Sequence, residues 1–137
     1  MNVKVFFDTS ILVYSVTDGD PRADQAESLL AGGGYLSVQV LNEFAAVSRR
    51  KLKRPWRQIR ENLHDIQTLS EPVLPLTVGI SEQAFVVAER YGYNIYDALI
   101  IAAALAAGCQ VLYSEDMQHC QKIDSLTIRN PFALPTQ

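Results

Sequence analysis

Val3-Lys4-Val5-Phe6-Phe7-Asp8-Thr9-Ser10-Ile11-Leu12-Val13-Tyr14 starts as an apolar, β-forming run, breaks on one carboxylate and two hydroxyls, and resumes as apolar sequence. Val3 to Phe7 reads as a strand, because β-branched and aromatic side chains suit a pleated, half-buried surface. Ile11 to Val16 reads as a short helix. A strand that passes through an acid into a helix is the opening unit of an alternating α/β chain. In such folds the groups that handle ligands gather outside the carboxyl ends of the strands.

The alternation continues outward from this unit. Asp18-Gly19-Asp20-Pro21 is a turn. Arg22 to Leu30 has helical spacing and is stopped by Gly32-Gly33-Gly34. Tyr35-Leu36-Ser37 is a short second strand, and Ser37 caps a helix from Val38 to Arg50. Pro55 sits in the first turn of a helix from Trp56 to Leu69. Val73 to Leu76 is a short strand, with Pro75 favouring a sheet edge. Ser81 to Tyr91 is helical and ends at Gly92. Asn94 caps a helix from Ile95 to Ala107, closed by Gly108. Gln110 to Tyr113 is a strand that runs into Ser114-Glu115-Asp116, and Leu126 to Ile128 is the last strand. The pattern predicts an α/β fold with a parallel sheet and helices on both faces. Asp8 and Asp116, each following a strand, then share one edge.

A chain of 137 residues that is 48% hydrophobic and 20% charged can fill the core of one compact domain. The start has no signal-peptide pattern, and the apolar stretch from Ala98 to Cys109 falls short of the ~20 residues of a membrane span. A cytoplasmic location, with no membrane partner, is therefore expected. Cys109 and Cys120 fit a reducing compartment. Zinc on Cys109, Cys120 and His119 is disfavoured without a C-x-x-C pair, and His64 and His119 read as surface residues. The net charge of −3 conceals an uneven distribution, because seven of the twelve basic residues lie between Arg49 and Arg60 with no acid among them. Arg49, Arg50, Lys51, Lys53 and Arg54, with Trp56, are candidates for gripping a phosphate backbone and stacking on an unpaired base. The alternatives are a solvated basic face with Trp56 packed inside, or a surface for an acidic partner.

Three acids stand alone in apolar surroundings. Asp8 is the only charged residue from Val5 to Thr17, Glu43 from Ser37 to Ser48, and Asp97 from Tyr91 to Ser114. A buried, unpaired carboxylate costs several kcal/mol, roughly, unless it is paired or protonated. A shared cation would satisfy all three, and an all-oxygen set suits magnesium or manganese. Taken singly, Asp97 could cap a helix, Glu43 could be a solvated helix residue, and Asp8 or Asp116 could be turn residues.

Four segments together resemble the PIN-domain family: Val5 to Tyr14, Gln39-Val40-Leu41-Asn42-Glu43-Phe44, Tyr96-Asp97-Ala98-Leu99-Ile100-Ile101-Ala102-Ala103-Ala104, and Leu112-Tyr113-Ser114-Glu115-Asp116. Their order and spacing agree over essentially the whole chain, which reads as a single PIN domain over 1–137. Among PIN proteins, the short chain resembles VapC-type toxins of toxin–antitoxin pairs. The resemblance implies a three-layer α/β/α sandwich, a homodimer and a small cognate antitoxin. It also implies cleavage of RNA that depends on Mg2+ (or Mn2+), with Asp8, Glu43, Asp97 and Asp116 as metal and catalytic residues. Ser10 and Ser114 are then candidate donors that orient the carboxylates. Ser114 stands where the family often has Thr, and Glu115 competes with Asp116 for the fourth position. A non-catalytic RNA-binding PIN module is the alternative. A haloacid-dehalogenase phosphatase would want a second Asp where Ser10 stands, and a response-regulator receiver would want an acidic pair that is missing here.

Overall fold

The computed structural model describes residues 3–133. The chain runs β1 (Val5–Phe7), α1 (Thr9–Ser15), α2 (Ala23–Ala31), α3 (Val38–Arg50), α4 (Trp56–Leu69), α5 (Val78–Tyr91), α6 (Ile95–Ala106), β2 (Val111–Tyr113), β3 (Lys122–Ile123) and β4 (Leu126–Arg129). The sheet order is β1-β2-β4-β3. Successive strand residues point to opposite faces. Phe6 and Phe7 are both buried, so helices cover both sides of the sheet and the architecture is α/β/α.

The first and last thirds of the chain meet at the centre of the sheet. β1 and β2 pair in parallel, with Val5 opposite Val111 and Phe7 opposite Tyr113. Their carboxyl ends are therefore level. The ladder continues one step past each strand: Asp8 N–H donates to Tyr113 O at 2.9 Å, and Ser114 N–H donates to Arg129 O at 3.0 Å. This register puts Asp8 and the segment 114–116 on one edge, as the alternation predicted.

Several elements differ from expectation. The sheet is mostly parallel, but β3 runs antiparallel to β4. Only Asp124 and Ser125 separate these strands, and so short a link can only make a hairpin. Asp124 meets its demand with a positive φ of 53°. The segments expected as strands at 35–37 and 73–76 each contribute isolated parallel bridges, Phe6 to Tyr35 and Ser37 to Leu74. Gly34 shows why a glycine precedes the first bridge, since a Cβ there would lie 2.5 Å from Phe7 Cε2. Leu74 is outermost, and Pro75 follows it at the edge.

Helix ends follow their caps. α1 starts at Thr9, two residues before the expected start, because the Asp8 carboxylate accepts from Thr9 N–H. α5 starts at Val78 because Thr77 caps it, its hydroxyl accepting from Ile80 N–H at 3.1 Å. Pro55 is the N-cap residue of α4, just outside the first turn. Ser37 and Asn94 cap α3 and α6 as expected. Among the described residues no helix is long and apolar enough to cross a membrane.

Candidate active site

One cleft of about 360 Å³ is lined by Asp8, Glu43, Asp97 and Asp116 together with Thr9, Ser10, Tyr14, Asp20 and Lys51. The four lone or strand-end acids thus reach one place from β1, α3, α6 and the loop after β2. The register of β1 and β2 delivers Asp8 and Asp116. The packing of α3 against both α1 and α6 delivers Glu43 and Asp97.

Asp8 lies deepest, 3% exposed. Its Oδ1 accepts from Thr9 N–H at 2.6 Å, and its Oδ2 accepts from the Ser114 hydroxyl at 2.6 Å. Burial pushes its pKa up to about 7, the two hydrogen bonds pull against this, and the charges of Asp97 and Glu43 raise it further. Among the described residues no salt bridge reaches it.

Glu43 is half-buried and held at both oxygens. Thr9 Oγ1 donates to Oε1 at 3.1 Å, and Gln39 Nε2 donates to Oε2 at 2.6 Å. Gln39 and Glu43 are four residues apart on α3, on one face of the helix. Asp97 is locked to the helix start. Asn94 Oδ1 accepts from its N–H, and Asn94 Nδ2 donates to its carboxylate, each at 3.0 Å. Burial, Glu43 and Asp116 raise its pKa, while Asn94 lowers it. Asp116 is exposed; burial of its carboxyl and Glu115 raise its pKa, and Lys51 lowers it.

Ser114 meets the sequence expectation of a hydroxyl on a carboxylate, and its Oγ also accepts from Met117 N–H at 3.2 Å. Ser10 does something else. Its Oγ accepts from Glu115 N–H at 3.2 Å, tying α1 to the loop after β2. Glu115 turns away from the cleft. Arg22 Nη1 donates to its Oε2 at 2.8 Å, and the Tyr14 hydroxyl donates to its Oε1. Arg22 also grips Asp20 with two nitrogens at 2.9 Å. Of the adjacent pair, Asp116 is the one left facing the cleft.

Sequence reasoning did not assign Thr9 and Gln39 to the site, and it read Asn94 as a cap without its second bond, to the Asp97 carboxylate. The i,i+4 spacing of Gln39 and Glu43 was a usable signal, whereas the reach of Thr9 to Glu43 across 34 positions was not. In the basic segment, Trp56 is 54% exposed, so it does not pack in the core. The Arg49 guanidinium lies over its ring at 5.4 Å. Arg54 is tied inward, donating to Val16 O at 2.6 Å. Cys109 is buried and Cys120 exposed, both free.

Among the described residues no three His, Cys, Asp or Glu side chains stand close enough together to hold an ion as they are. The hydrogen bonds from Thr9, Gln39 and Asn94 hold the carboxylates around the cleft, and like charges resist closer approach.

Solved structures share this architecture. A Mycobacterium tuberculosis structure, VapC20, described as a sarcin–ricin loop cleaving toxin, is 26% identical, with a TM-score of 0.69 over 82% of this chain and 90% of that one. A toxin–antitoxin complex from Klebsiella pneumoniae is 18% identical, with a TM-score of 0.71 over 96% and 100%. VapBC2 from Rickettsia felis, bound to a DNA fragment from its promoter, is 21% identical, with a TM-score of 0.67 over 93% and 98%. The last two show likeness of fold alone. No curated protein sequence matches the chain. The family model of the PIN domain matches residues 5–124, and the chain belongs to the PIN domain family.

Proposed function

We propose that the chain is a metal-dependent endoribonuclease that hydrolyses RNA phosphodiester bonds, and that it is the toxin of a toxin–antitoxin pair with a small cognate antitoxin. One observation carries this: four acids from four separate elements line one cleft, and the deepest has hydroxyl and amide partners but no cation among the described residues. Membership of the PIN family and the likeness to VapC20 support the nuclease and toxin assignments. A cytoplasmic homodimer is the expected working form.

The donor set fits a hard divalent cation, since every candidate ligand is a carboxylate oxygen. Burial leaves Asp8 short of compensating charge, and a cation would restore it. Asp8, Glu43 and Asp97 would hold Mg2+ or Mn2+, directly or through water, with Asp116 completing the site. When bound, the ion would supply positive charge beside the phosphate and a water of lowered pKa. In the hydrolysis, a water oxygen bonds to phosphorus, the bond to the leaving ribose oxygen breaks, and a proton returns to that oxygen.

The chain's own residues prepare this chemistry. Thr9 N–H and Ser114 fix Asp8. Thr9 and Gln39 aim Glu43, and Asn94 sets Asp97 at the start of α6. Ser10 anchors the loop that carries Asp116. Arg49, Arg50, Lys51, Lys53 and Arg54 offset backbone charge on the RNA, and the exposed ring of Trp56 offers a stacking surface.

The test is digestion of total RNA with Mn2+, beside EDTA and Asp97→Asn controls. Discrete fragments from wild type with metal alone are the expected result. No cleavage and no Mn2+ binding would replace the enzyme with a non-catalytic RNA-binding module.

A further inference from the structure

Among the residues that line the acidic cleft, Lys51 is the one cation. Its basic neighbours are engaged or placed elsewhere. Arg49 lies on Trp56, Arg54 bonds Val16 O, and Arg57 pairs with Glu61 at 3.3 Å. Arg57 and Arg60 border a separate hollow on α4.

Helix geometry explains the difference. Glu43, Val47 and Lys51 are spaced by four, so they fall on one face of α3, and all three line the cleft. Each step advances roughly 6 Å, so Lys51 stands roughly 12 Å beyond Glu43, at the carboxyl end of α3. Its backbone N–H caps that end by donating to Val47 O at 2.8 Å. The side chain shares the cleft with Asp116.

A phosphate that enters here meets carboxylates at Asp8, Glu43, Asp97 and Asp116, while Asp20 on the same wall is already paired with Arg22. Further negative charge develops on its oxygens as water adds. Val13, Val47 and Leu52 line the same walls, so a fixed charge acts more strongly than it would in bulk water. An ammonium on a flexible stem can follow the phosphoryl oxygens as they move.

We infer that Lys51 contacts a non-bridging oxygen of the scissile phosphate, while the other basic residues hold phosphates outside the cleft. This rests on the nuclease reading above. It separates one residue of the basic segment, by role, from its neighbours.

The experiment is single-turnover cleavage of a short RNA that spans a cut mapped in total RNA, at saturating Mn2+, for wild type, Lys51→Ala, Lys51→Arg and Arg50→Ala. Lys51 is exposed at a helix end, and Lys51→Arg keeps its charge should the alanine variant fold poorly. Lys51→Ala is expected to lower the rate at saturating RNA about 100-fold, the scale of losing one transition-state donor. Lys51→Arg should recover most of it, and Arg50→Ala should act through KM. If the loss in Lys51→Ala is confined to KM, or vanishes as Mn2+ is raised, Lys51 only steers RNA or supports Asp116, and the inference fails alone. No cleavage by wild type together with no Mn2+ binding overturns the nuclease reading, and this inference with it.

Discussion

Asp8 is held by two hydrogen bonds in a place that favours its protonated form. Its pKa of about 7 in the folded protein compares with about 3.9 in an unfolded chain. Between these values the folded state binds the extra proton, so stability falls as pH rises. The stability present below about pH 4 is lost by about pH 7, a difference of about 4 kcal/mol from this residue alone. Asp97 and Asp116, also raised, act in the same direction. Urea melts of the metal-free protein should therefore show lower stability at pH 8 than at pH 5, and Asp8→Asn should flatten the dependence. At pH 8, Asp8→Asn, Glu43→Gln and Asp97→Asn should each abolish cleavage yet stabilise the metal-free protein. For Asp8→Asn the gain should be about 1–3 kcal/mol, because an amide cannot accept both of the existing bonds. Melts that fall sharply in all three variants would argue against a shared site.

Caps and loop anchors carry the site at the scale of the element. Asn94→Ala removes the cap of α6 and the donor on Asp97 together. It should cost about 1 kcal/mol in a thermal or urea melt and slow cleavage more than that loss of stability explains. Arg22→Ala should free Glu115 and loosen the loop that carries Asp116, which lowers activity with only a small change in melting temperature. Much at this scale was readable beforehand. Ser37, Pro55 and Gly92 mark helix ends by local chemistry alone, and Val38–Arg50 and Trp56–Leu69 have the expected bounds. What escaped depends on distant partners. β3 is two residues long and exists because β4 stands beside it. The role of Ser10 depends on Glu115, and the choice between Glu115 and Asp116 depends on Arg22, 93 positions from Glu115. The four acids were legible because a lone charge in apolar sequence needs a reason. Of the groups that hold them, Ser114 and Asn94 were marked by their places after a strand and before a helix, and Gln39 by its spacing from Glu43, whereas Thr9 reaches Glu43 across 34 positions and carried no mark.

Over the whole molecule, charge is divided between an acidic cleft and a basic segment within a chain of net charge −3. RNA affinity should fall steeply with salt, and each basic contact removed should lower the logarithmic slope by ~0.7–0.9. Mn2+ at 100 times its Kd should stabilise the protein by ~2.7 kcal/mol, an effect lost in Asp97→Asn. The pairing of β1 with β2 also sets a schedule for synthesis. Ser114, the partner of Asp8, leaves the ribosome 106 positions after it. Asp116 and β2, the neighbour strand of β1, are made in that same later stretch. A chain cut short by a premature stop codon before Val111 lacks β2, Ser114 and Asp116 together, so it cannot assemble the cleft, however well its helices form.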